Sequence, residues 1–281
     1  MRLRSVIRWE FLRTIQSKQF LVMSLLIPAV VAVAIFAATA ADKGAQQSLR
    51  EPPPPFVVAL ILAMILFMGA FLSGVMTLYS VVKEKQGRVV ELVLSSISAQ
   101  EMMAGKVIGL GIAGLIQVAV WAAAAYFIAG RFTPISLAAL VLVHWITYPL
   151  YFVLGFMLIA SIYAATGAVM KDVQSGGASG LVGLVPYIPI MFSAFIIENP
   201  NHLLVRIAGF IPPFTPAVML LRVGVGAAAA WEIGLSLASL ALGVFLTMRF
   251  AARIFEIGLL MYGKSPSLRE LWRWGLARRA R

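Results

Sequence analysis

The sequence contains no cysteine, only two histidines and only 11 acidic residues among 281. Without cysteine there can be no disulfide, no thiol catalysis and no zinc-thiolate centre. The histidines, His144 and His202, stand far apart and neither joins a cluster of ligands at metal-site spacing, so each reads as a satisfied or interfacial side chain and no metal site is expected. No G-x-S-x-G or H-E-x-x-H pattern occurs, which leaves a hydrolase no nucleophile or base, and no catalytic residue is expected. Charge is also scarce, at 12% of residues against about 25% in an ordinary soluble domain. What replaces it is apolar: 61% of the chain is hydrophobic, with a mean hydropathy of +0.94. This excludes a soluble globular protein. Spans of about 20 residues each could fit six times and leave little for a separate soluble domain, so one all-α membrane domain is expected.

The pattern of charge divides the chain. Residues 1–19 carry Arg2, Arg4, Arg8, Arg13 and Lys18, with Leu3, Ile7, Phe11 and Ile15 at helical spacing. They predict a cytosolic interfacial helix or a charged flank to the first span, although Glu10 falls near the apolar face. The membrane domain follows over 20–258. Its first span is 20–41, and a polar connector to Pro55 ends in four prolines that cannot continue a helix. The second span is 56–82, and at 83–101 Lys83, Glu84, Lys85 and Arg88 open a cytosolic loop. Within it Val90, Glu91, Leu92 and Leu94 read as a short amphipathic helix after Gly87, and Ser98 with Glu101 forms a capping box. In the third span, 102–129, Gly105, Gly109 and Ala113 recur at four-residue intervals and predict a close helix–helix approach, within the chain or across a dimer seam. The fourth span lies within 136–170, and the fifth, 180–197, should be kinked at Pro186 and Pro189.

Residues 203–230 are apolar but broken by Arg206, Pro212, Pro213, Pro216 and Arg222. The last span is 231–255, and a basic tail occupies 259–281. Only five of the 23 basic residues, Lys43, Arg50, Arg131, Arg206 and Arg222, fall opposite the side that holds the rest. The positive-inside rule therefore predicts both termini in the cytosol. Two cytosolic ends need an even number of crossings, so 203–230 should be re-entrant, entering from the outer side between spans five and six and packing inside the bundle. The net charge of +12 then reads as an orientation and lipid-headgroup signal, and no nucleic-acid partner is expected.

Gly258 to Ser265 matches the Walker A pattern letter for letter. A phosphate loop needs a strand before it and a helix after it, whereas these residues continue a membrane helix into Pro266 with only a short tail to follow, so no nucleotide site is expected here. No carboxylate is expected at mid-depth either, since Glu198 and Glu232 fall at span edges, which weakens a proton- or sodium-driven carrier. The buried polar residues Ser73, Thr77, Gln117, Ser161, Ser193 and Ser236 are candidates for a translocation path, and equally for helix–helix hydrogen bonds, as is Ser239.

Four stretches resemble the membrane subunit of type-2 ABC exporters, most closely the sodium- and drug-export permeases. They are Glu10 through Ser17-Lys18 to Pro28; Glu84 to Leu94 followed by Gly105-Lys106; Ile211-Pro212-Pro213-Phe214-Thr215-Pro216 leading to Arg222; and Gly258 to Lys264. The resemblance implies a six-span permease in the cytoplasmic (inner) membrane of a prokaryote, paired with a second permease subunit and with a separate ABC ATPase. ATP and Mg2+ would then bind the ATPase subunit, with no cofactor in this chain. It also implies that Glu84, Gly87, Arg88, Val90, Glu91, Leu92, Leu94 and Ser95 form a coupling helix contacting that ATPase. The large external domain common between spans one and two of sodium-export permeases has no counterpart here, so the substrate does not carry over. A secondary transporter or channel of similar topology is the alternative.

Overall fold

The computed structural model describes residues 2–41, 55–86, 97–129, 142–170 and 184–260. All regular structure among them is helical. In chain order the helices are α1 (Arg2–Ile15), α2 (Lys18–Ala41), α3 (Pro55–Gln86), α4 (Ala99–Ala129), α5 (Leu142–Val169), the short α6 (Ile188–Met191), α7 (Ser193–Glu198) and α8 (Leu203–Ala208), then α9 (Thr215–Gly224) and α10 (Ala230–Leu260). Four carry stretches long and apolar enough to cross a membrane: Ala63–Lys85, Glu101–Ala124, Ile146–Val169 and Ala230–Gly258. Over Lys18–Val30, α2 is apolar but shorter than that measure requires.

Small residues and polar pairs set the helix directions. Gly69 meets Val118 and Gly114 meets Ser73, so α3 and α4 run antiparallel. Gly74 meets Tyr163, Gly167 meets Leu78, and Lys85 Nζ donates to Ala168 O at 2.6 Å, so α3 and α5 run parallel. Tyr151 bonds Ser236 at 2.6 Å near the starts of α5 and α10, while Gly258 meets Ala168 near their ends, which makes these two parallel as well. The core sits around α5, where 72% of the apolar stretch is buried, against 17% for α10. Leu235, Leu242, Phe245 and Leu246 of α10 all face outward. An apolar surface of that extent suits lipid or another protein rather than water.

The single kinked span expected over 180–197 is broken further. Val185–Tyr187 forms a 3-10 turn, followed by α6 and α7. Pro186 and Pro189 each remove a backbone donor, so the intrahelical ladder cannot run through them. Helix α9 lies inside the bundle and is buried at every position from Thr215 to Val223. Pro216 fills the notch left by Gly155 of α5, and Pro212 the notch left by Gly243 of α10. A Schellman turn ends α9: Gly226 N donates to Val223 O at 3.0 Å and Ala227 N to Arg222 O at 2.9 Å. Gly226 takes a φ of +71°, which a side chain would disfavour.

Before α4, Ser98 N and Oγ each donate to Glu101 Oε2 at 3.0 Å, and Glu101 N donates to Ser98 Oγ at 3.2 Å. That is the capping box read from the sequence. Helix α3 continues to Gln86, into the loop expected over 83–101.

Candidate functional site

Two buried ion clusters stand out, one where α1, α3 and α4 meet and one where α8, α9 and α10 meet. The first is centred on Lys106, which is wholly buried. An ammonium offers three donors, and all three are used. Lys106 Nζ donates to Glu10 Oε1 of α1, to Glu84 Oε1 of α3 at 2.7 Å and to Ser80 Oγ at 2.8 Å. Arg13 Nη1, on a half-exposed side chain, reaches the same Glu84 oxygen at 3.3 Å. Glu84 Oε2 is buried with no hydrogen-bond partner among the described residues. Desolvation pushes the Glu10 carboxyl above its ordinary value of 4.5, against the downward pull of Lys106.

Glycines make this junction possible. A Cβ on Gly105 would collide with Val6, and one on Gly109 would come within 2.9 Å of Glu10 Cβ and Ile7 O. The small-residue face of α4 therefore receives α1 of the same chain. Glu10, which looked like a flaw in the apolar face of α1, is the residue that face delivers to Lys106.

The second cluster holds Arg222, also wholly buried. Its Nε donates to Pro200 O at 2.8 Å, and its Nη2 donates to Glu232 Oε2 at 2.9 Å and to Ala227 O at 3.4 Å. Glu232, in the first turn of α10 at the span edge expected for it, is buried among protein groups and also accepts from Arg206 Nε at 2.9 Å and Ala229 N at 3.0 Å. The Schellman turn after α9 brings Ala227 and Ala229 to these groups. Buried charges persist where partners replace their lost hydration, and here both carboxylate oxygens and the guanidinium are bonded.

Among the described residues the candidate path residues make local contacts. Thr77 Oγ1 donates to Ser73 O at 2.8 Å and Ser161 Oγ to Met157 O at 2.6 Å, each within its own helix. Ser73 packs against Gly114, and Ser236 bonds Tyr151. Ser193 is half-buried on α7. Gln117 is fully buried, and neither amide atom has a hydrogen-bond partner among the described residues. None of the six lines the gap of about 10 Å³ beneath Pro216 or the cavity of about 340 Å³ beside Glu10. Of the residues assigned to ATPase contact, Glu84 lies in the Lys106 cluster. Gly87, Arg88, Val90, Glu91, Leu92, Leu94 and Ser95 lie outside the described residues. Pro213 is half-buried between α8 and α9. His202 caps α8, its Nδ1 accepting from Leu204 N at 3.3 Å. Gly258 to Leu260 are helical, so the Walker-like string begins inside α10.

Sequence reasoning missed that Lys106 pairs with Glu10 and that Glu232 pairs with Arg222. A signal existed: each is an isolated charge on an otherwise apolar helical face, which membrane energetics allows only with a partner.

These features, apolar parallel and antiparallel helices with a proline-broken segment folded among them, define a helical membrane protein. The chain belongs to the ABC-2 family of transporters, matching the family described as "ABC-2 family transporter protein" over residues 51–253. It is 30% identical over 223 residues to Uncharacterized protein MJ1024 of Methanocaldococcus jannaschii, covering 78% of this chain and 52% of that one. It is 25% identical over 227 residues to Uncharacterized protein YhaP of Bacillus subtilis, covering 75% and 53%. The chain thus spans about half the length of these relatives. No solved structure matches it significantly.

Proposed function

We propose that the chain is the permease subunit of an ABC exporter, forming the translocation path and driven by a separate ATPase subunit that binds ATP and Mg2+. Family membership over 51–253 carries this reading. A second permease subunit completes the assembly, in the cytoplasmic membrane of a prokaryote. In this reading six helices span the bilayer, both termini are cytosolic, and 203–230 is re-entrant from the outer face. The parallel course of α3, α5 and α10, with α4 antiparallel, supports it, because those are the directions that spans two, four, six and three require.

The ATPase docks on the stretch after Gln86. Val90, Leu92 and Leu94 fill a groove on it, while Arg88 and Glu91 pair with charges at the rim. Movement of that stretch reaches α4 and α1 through Glu84, since Lys106 holds Glu84 and Glu10 together. Two variants, Glu91→Arg and Leu92→Asp, test the docking. Both chains should reach the membrane in normal amounts. Removing one member of a desolvated ion pair costs about 2–5 kcal/mol, or about 30- to 4,000-fold in binding, so co-purification with the ATPase should be lost. Normal co-purification together with normal substrate-stimulated ATP hydrolysis in both variants would show that the docking assignment is wrong. A tagged chain that exports without any ATPase partner would instead be the secondary carrier.

A further inference from the structure

Beside the Lys106 cluster, and lined in part by its Glu10, Arg13 and Ser80, lies an open cavity of about 340 Å³. Its volume falls in the range of about 300–1,000 Å³ typical of small-ligand sites. Its walls come from two places where the chain changes character at the same level. One is the last turn of α1 and the turn that follows it, including Arg13 and Ser17, just before the apolar run that begins at Phe20. The other is the last two turns of α3, including Tyr79, Ser80 and Lys83, where the apolar run ends and charge resumes. Two helices that both pass from apolar to charged at one height mark the water–hydrocarbon boundary, where lipid headgroups lie.

The chemistry of the walls favours an anion. Lys106 and Arg13 together balance the charges of Glu10 and Glu84 within the cluster, which leaves Lys83 as the unbalanced charge of the wall. Arg13 uses Nη1 on Glu84 and keeps further N–H donors, because a guanidinium has five. Lys83 is exposed and pairs with nothing among the described residues. Ser17 Oγ accepts from Phe20 N at 3.1 Å, which leaves its hydroxyl hydrogen free to donate, and the Tyr79 side chain is 40% exposed at the mouth. Met76 and Leu110 supply apolar wall that suits the start of an acyl chain.

We propose that this cavity binds the phosphate-bearing headgroup of a phospholipid of the cytosolic leaflet, with Arg13 and Lys83 as its charge partners and Ser17 and Tyr79 as hydroxyl donors. The site rests on the reading of the apolar helices as membrane spans and requires no ATPase. Occupied, it packs lipid against α1 and the end of α3 and so braces the junction from which the docking stretch departs.

The test uses the full chain purified in mild detergent, titrated with phosphatidylglycerol or with inorganic phosphate and read by native mass spectrometry. Wild type should hold one phospholipid per chain more tightly than any further copies, and millimolar inorganic phosphate should not displace it. Lys83→Ala should weaken that first binding by about tenfold, the effect of one charged hydrogen bond, and Arg13→Gln with Lys83→Ala by more. Lys83 makes no hydrogen bond that folding needs, so its removal keeps the test sound if the double variant unfolds. Arg8→Ala, which removes an exposed base outside the cavity, should bind as wild type does.

Unchanged binding in Lys83→Ala overturns the site. Equal loss in Arg8→Ala overturns it too, as a general attraction of basic surface, and displacement by inorganic phosphate overturns the lipid as its occupant. Failure of ATPase co-purification leaves each of these readouts intact, so the two readings fail separately.

Discussion

The Lys106 and Arg222 clusters use similar ingredients, and they are finished differently. Arg222 is a planar fork whose donors reach two backbone carbonyls and a carboxylate, and the Glu232 oxygens are both bonded. Lys106 is a point charge shared by two carboxylates and a hydroxyl, with one Glu84 oxygen unbonded among the described residues and a cavity alongside. A closed set of bonds fixes one geometry, because any displacement strands a buried charge. An open set tolerates movement, because Arg13 or water can make up a lost bond. The difference teaches that the chain clamps its proline-broken segment and leaves adjustable the junction at the end of α3.

The largest effect that could break this comparison comes from Arg222→Met. It strands Glu232 on Arg206 and leaves the Pro200 carbonyl without its donor, so stability should fall by about 3–5 kcal/mol, read from thermal unfolding in detergent. Arg222→Lys should rescue little, since an ammonium cannot span the positions of the fork. A loss below that of Lys106→Met would reverse the contrast between clamp and joint.

Lys106→Met should cost less, about 1–3 kcal/mol at neutral pH, because Arg13 remains on Glu84 and the Glu10 carboxyl can take up a proton. Its pH dependence sharpens the point. Burial holds the Glu10 carboxyl above 4.5, so the folded chain binds that proton more tightly than the unfolded chain. The stability this contributes is complete below about pH 4.5 and is lost as pH rises through the folded value. Without Lys106, which lowers that value, the loss steepens. The deficit relative to wild type should therefore shrink between pH 8 and pH 5, and a deficit independent of pH would show that Glu10 does not titrate in the joint.

Gly109→Ala should have the smallest effect, about 1 kcal/mol, as α1 shifts to relieve the contact with Glu10 and Ile7. Hydrogen exchange should show α1 opening more readily while α9 stays protected. Equal loosening of both would mean that the two junctions form one unit.

Much of this was legible in the residues. The apolar runs located the long helices, since hydrocarbon-compatible stretches have few alternatives. Ser98 and Glu101 announced the start of α4, a local device that needs no tertiary partner. Pro212, Pro213 and Pro216 showed that 203–230 could not be an ordinary helix. The ion clusters were not legible as clusters. Glu10, Glu84 and Lys106 are separated by 74 and 22 residues, and local pattern does not report that three helices bring them together. The small-residue face of α4 likewise announced a close approach without naming α1 as what approaches.

The sequence by itself determined an apolar, helical, multi-pass chain, because hydropathy and backbone hydrogen bonding act within a single segment. Only the tertiary structure decided that Lys106 and Arg222 are buried at their partners rather than exposed, and that one cluster closes while the other borders a cavity. The reason is physical: the stability of a charge in an apolar setting depends on which partners surround it, and those partners are supplied by other helices.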